Sequence, residues 1–171
     1  TIALSPCGAR WSVDAWLQRR RGARAKPPRR VASGSVRFVQ VLLPVIYSAS
    51  GIAKVRGDWL SHSYVLWTHL HDTYQTAVTV ALANLLPAGS WTVLQGLTLL
   101  FEVFAPAWFG FRRTRTLGLV MGVGMHTMIG LMFGPVRYFA MLMSTLLVVA
   151  YLPDAALDRL TRSLRRAPHR R

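Results

Sequence analysis

Four apolar stretches of span length, set between basic segments, constrain this chain more than any motif in it. They run from about Val36 to Val55, Ser90 to Phe111, Thr116 to Gly134 and Val136 to Leu152. Each holds roughly 20 residues, the length at which an α-helix crosses the hydrocarbon core of a bilayer. A soluble domain of 171 residues has no use for such runs. The expected fold is therefore all-α: a polytopic helical membrane bundle of about four transmembrane helices, with a further helix that is re-entrant or interfacial.

The charge pattern orients these spans. The formal net charge is +15, but nine of the 21 Lys and Arg lie in residues 1–37, three in Arg112–Arg115 and six from Arg159 onward. Basic segments flanking spans are retained in the cytoplasm, and they attract anionic lipid headgroups. The expected partners are membrane lipids and not nucleic acid, and both termini are expected in the cytoplasm. If the first span leaves the cytoplasm and Arg112–Arg115 returns to it, only one crossing lies between. Residues 74–87, apolar but short and ended by Pro87, then serve as the re-entrant or interfacial helix on the outer side.

Three segments follow. Residues 1–35 read as a basic cytoplasmic segment, with an interfacial helix over Ala9–Leu17 anchored by Trp11 and Trp16. Residues 36–153 form the bundle. Residues 154–171 form a basic amphipathic tail with Leu157, Leu160 and Leu164 on one side. The single cysteine, Cys7, has no partner for an internal disulfide. With Thr1 in place of an initiator Met, the chain is expected to be the C-terminal part of a longer protein whose earlier spans are its partners.

Polar residues inside the spans carry the functional signal, because ionisable groups in hydrocarbon are costly. Gln40, Pro44, Tyr47, Gly51 and Lys54 follow one another at steps of 4, 3, 4 and 3, so they share one helix face, expected to point into the bundle. Pro44 is tolerated there if a neighbour satisfies the carbonyl it frees. Gln95, Thr98 and Glu102 share a face of the second span. Glu102 and His126 lie near the midpoints of antiparallel neighbours and are expected to form a hydrogen-bonded pair, either as a lock between helices or as part of a pocket. Gly118, Gly122, Gly130 and Gly134 flank His126 at multiples of four and permit close helix contact. Lys54 and Asp58 stand one turn apart. They read either as a snorkelling lysine with a surface aspartate or as a base at the outer mouth of a pocket. His62, His69, His71 and Asp72 do not match a zinc spacing, and no metal is expected. The methionines of Met121–Met143 read as packing residues.

The run Ser50-Gly51-Ile52-Ala53-Lys54-Val55-Arg56-Gly57-Asp58-Trp59 resembles the lysine segment of the vitamin K-dependent γ-carboxylase-like family, which shares the HTTM (horizontally transferred transmembrane) domain. Glu102, the basic loop Arg112–Arg115, Gly118 and His126 follow in similar order. The resemblance covers about residues 10–153. It implies a bacterial plasma-membrane protein in which Lys54 is the base, with His126 and Glu102 as further catalytic residues. Tyr47, Gly51, Asp58, Trp59, Gln95 and Thr98 would be pocket or supporting residues, and a reduced, vitamin K-like quinone the substrate or cofactor. No segment here matches the carboxylases' lumenal domain, so the expectation is lysine-base chemistry on a quinone or lipid, with any γ-carboxylase-like activity belonging to the full-length parent. The alternatives are a non-enzymatic scaffold that binds a partner, and a small transporter.

Overall fold

A computed structural model describes residues 34–72 and 75–153, with Leu17, Ala156 and Arg159 besides. The expected helices over Ala9–Leu17 and Asp154–Arg166 lie outside the described residues, apart from those three positions. The chain divides into two units, residues 1–39 and 40–171. In the first, the described residues are Leu17 and the opening residues of a helix.

The described residues form seven helices and no strand: α1 (Gly34–Arg56), α2 (Val65–Leu70), α3 (Ala77–Leu85), α4 (Ala88–Val103), α5 (Ala105–Gly110), α6 (Arg115–Met132) and α7 (Arg137–Tyr151). The expected all-α class holds. Among the described residues, α1 alone is long and apolar enough to cross a membrane by itself. α3 and α4 pass the same test only as a pair, bent by 116° at their junction. Pro87 makes that bend. It caps α4, and the residue before it, Leu86, takes the extended conformation that a following proline imposes.

Pro44 lies inside α1 and cannot donate to the carbonyl of Gln40 four residues back. The Tyr151 hydroxyl of α7 donates to that carbonyl instead, and the Gln40 side chain donates to the Ala150 carbonyl at 2.6 Å. The freed acceptor thus ties α1 at Gln40 to the end of α7, as the sequence required.

The expected uninterrupted span from Ser90 to Phe111 is corrected. Helix α4 ends at Val103, Phe104 has φ −93° and ψ 15°, and α5 starts afresh with Pro106 in its first turn. Pro106 has no N–H to offer the Glu102 carbonyl, so the helix breaks beside Glu102. Glu102 therefore stands at a helix end and not at mid-span.

The glycines of α6 do what their spacing implied. A Cβ on Gly118 would lie 2.9 Å from the Trp108 side chain, and one on Gly122 2.8 Å from Leu147 and 2.9 Å from Phe101. Helices α6 and α7 lie side by side along their lengths. The C-terminal carbonyls of α6 are taken by α3: the Thr76 hydroxyl donates to Leu131 at 2.6 Å and the buried Thr79 hydroxyl to Met132 at 2.5 Å. Outward faces are apolar. Val41, Val45, Val93, Val120, Met141 and Val149 are all more than half exposed.

Candidate functional site

Leu43, Tyr47 and Gly51 are the buried residues of α1, and Lys54 continues their face as a half-buried residue. The stripe at steps of 4 and 3 therefore points inward, as expected. At Gly51 the helix meets the end of α4 without any intervening side chain. A Cβ there would lie 2.7 Å from the Val103 nitrogen and 3.0 Å from the Glu102 carbonyl carbon and Cβ. Only glycine lets the two backbones approach this closely, and that approach puts Glu102 within reach of Lys54.

Lys54 Nζ lies 2.5 Å from both carboxylate oxygens of Glu102. The side chains are 24% and 8% exposed, so the pair is screened from solvent on the carboxylate side and open on the ammonium side. Lys54 also donates to Ser50 Oγ at 3.0 Å and sits 5.1 Å from the centre of the Trp59 ring. A cation in that position gains from the ring quadrupole. Carboxylate, hydroxyl and indole thus surround the ammonium on one side of α1.

The expected Glu102–His126 pair is corrected. The partner of Glu102 is Lys54, and the partner of His126 is Tyr47, whose hydroxyl lies 2.7 Å from Nε2. Tyr47 and Lys54 are seven residues apart on α1, or about 10 Å along the axis, so the two pairs lie at different levels. The cause is the break after Val103, which leaves Glu102 at the level of the end of α1, while His126 lies well inside α6. The Lys54–Asp58 pairing is corrected as well. Asp58 is exposed, and the ion pair of Lys54 is made with Glu102.

His126 is 3% exposed, and its Nδ1 meets no partner among the described residues. Phe101 packs edge-on against Tyr47 at 5.2 Å between centroids. Thr98 and Phe101 help line a cavity of about 310 Å³ between α4 and α6, with Trp91, Leu94, Met121 and Met125 among its apolar walls.

Gln95 proves to be a tether. Its amide donates to the Trp59 carbonyl at 2.8 Å and the His62 carbonyl at 2.7 Å, and its oxygen accepts from Leu66 N–H at 2.9 Å. One side chain thereby holds the connection between α1 and α2 against α4, and with it the Trp59 ring over Lys54. Gln95→Leu is expected to cost about 1–3 kcal/mol, because three partners lose their bond. Hydrogen exchange at the Leu66 amide should quicken in step; an unchanged rate would dissociate Gln95 from this connection. His69 and His71 turn their Nδ1 atoms onto the carbonyls of Val65 and Trp67 in their own segment, at 2.7 and 2.9 Å.

Two contributors escaped sequence reasoning. Ser50 carries a findable signal, since it lies four residues before Lys54. Phe101 carries none, because one phenylalanine in an apolar run looks like any other.

A lysine–carboxylate pair at a glycine crossing, with a tyrosine–histidine pair deeper on the same helix, defines a helical protein with ionisable groups in its apolar core. The HTTM domain family matches residues 1–154, and the chain belongs to that family. No curated protein and no solved structure matches it. Family and apolar α1 together make it a membrane-associated protein.

Proposed function

We propose that this chain forms the lysine-base centre of a multi-pass membrane enzyme of the γ-carboxylase-like kind, acting on a reduced quinone or a similar lipid-soluble hydroxyl compound. The observation that carries the reading is the Lys54–Glu102 pair, held at 2.5 Å beside a glycine crossing with the ammonium only 24% exposed. As a base Lys54 acts in its amine form, with the Glu102 carboxylate beside it as acceptor for the proton given up in reaching that form. It takes the proton from the substrate hydroxyl, the O–H bond breaks, and the resulting ammonium lies beside the new oxyanion. Trp59 and Ser50 hold the lysine in place; the apolar cavity lined by Thr98 and Phe101 lies between α4 and α6, and neither Lys54 nor Glu102 lines it.

Membrane insertion in this reading uses α1, the bent α3–α4 pair, α6 and α7, with α3 as the re-entrant or interfacial piece. The apolar outward faces support it, since patches of that extent are unusual on a soluble monomer. Residues 1–35 and the tail from residue 154 then lie on the cytoplasmic side against anionic headgroups, and earlier spans complete the bundle. A second reading, a non-enzymatic scaffold, is favoured by the same ion pair, because it also locks α1 to α4.

Mass spectrometry of lipids co-purified with wild type and with Lys54→Met/Glu102→Leu separates the two. A quinone enriched in wild type and lost in the double variant is the expected result. Equal lipid profiles in two folded proteins would leave the scaffold.

A further inference from the structure

A second cavity, of about 400 Å³, lies between α6 and α7. Its walls are chemically unlike those of the first. They include His126, Thr127, Arg137, Met141, Ser144 and Thr145. Three observations give it a direction. Arg137 lies at its α7 end and is the one Lys or Arg between Arg115 and Arg159; its Nε has only a long contact, 3.4 Å, to the Gly130 carbonyl. His126, one helical turn deeper than Gly130, is 3% exposed, and its Nδ1 has no partner among the described residues. The hydroxyls of Thr127 and Thr145 donate to carbonyls of their own helices, which leaves their oxygens as acceptors only.

We take the Tyr47 hydroxyl as donor to His126 Nε2, 2.7 Å away, which places the ring hydrogen on Nδ1. The groove then presents the Arg137 guanidinium and, one helical turn of α6 beyond Gly130, a buried ring N–H, with Met141 and Leu131 among its apolar lining. A buried donor left unpaired is costly, and a guanidinium favours phosphate oxygens in bidentate geometry. We propose that this groove binds an anionic phospholipid, its phosphate on Arg137 and an acyl ester carbonyl on His126 Nδ1, with the acyl chain along the apolar side. The proposal relies on the reading above only for membrane embedding. Lys54 and Glu102 play no part in it, so either reading can fail without the other.

Native mass spectrometry of the detergent-solubilised protein tests this, titrating phosphatidylglycerol against phosphatidylcholine of the same chains. Wild type is expected to retain phosphatidylglycerol at least about tenfold better, and Arg137→Gln to lose that preference, as the loss of one charge-assisted contact predicts. Ser144→Phe fills the groove while leaving Arg137 intact, and should lower retention of the anionic lipid; it keeps the test open if Arg137→Gln does not fold. Millimolar inorganic phosphate is the third arm. Displacement of the lipid by phosphate would mean that the groove reads the anion alone, and would overturn a lipid site. A wild type without headgroup preference, or a preference that survives both substitutions, would overturn it as well.

Discussion

Lys54→Met is expected to destabilise the protein by about 3–5 kcal/mol, while Lys54→Met/Glu102→Leu recovers most of that loss; on the proposed lysine-base reading, neither variant turns over a reduced quinone. The asymmetry follows from burial. The Glu102 side chain is 8% exposed and its cation is the Lys54 ammonium, 2.5 Å away. Removing the lysine alone strands a carboxylate in an apolar site, where it must either stay charged at high cost or take up a proton. Removing both charges strands nothing, and buried pairs replaced by apolar side chains are often neutral in stability. Because the lysine is 24% exposed, the lower part of the range is expected. Thermal unfolding in detergent, read beside turnover of a reduced quinone, separates the two roles. A stable single variant would mean the pair does not secure α1, and activity in the double variant would remove the lysine from the chemistry.

The next largest effect is expected at Gly51. Gly51→Ala should cost about 1–3 kcal/mol, since its Cβ must displace backbone and not a yielding side chain. The atoms it would meet are the Val103 nitrogen at 2.7 Å and the Glu102 carbonyl carbon at 3.0 Å. Pushing the helices apart also lengthens Lys54–Glu102, so the coupling between those residues should fall in the Gly51→Ala background. Gly96→Ala, on α4 with nothing within 4 Å of the added carbon, is the control. It should be neutral or stabilising by about 0.5–1 kcal/mol, as glycine is the poorer helix former. Matching unfolding midpoints for the two variants would refute a close crossing at Gly51.

Much of the architecture was legible in the residues. The steps joining Gln40 to Lys54 set one face of α1, and the structure buries that face, because helical periodicity is a local property. Pro44 announced a carbonyl in need of a donor. Pro87 marked a boundary where α4 indeed begins. The glycines of α6 announced close neighbours, and Gly118 and Gly122 have them. The HTTM resemblance, carried by the segment around Lys54 and by Glu102 and His126, is borne out at the level of the family.

What the sequence by itself determined is the inward face of α1 and the boundary at Pro87, because periodicity and proline act locally; the break beside Pro106 it did not reveal. Only the tertiary structure decided who meets whom across helices. Glu102 and His126 were expected together because both fell near mid-span, but a partner depends on the axial offset and rotation of two helices far apart in the chain. The break beside Pro106 lowered Glu102 to the end of α4, and the bare backbone at Gly51 admitted it to Lys54. Tyr47 then took His126. No periodicity along a single helix encodes those offsets, because they follow from the packing of every helix at once.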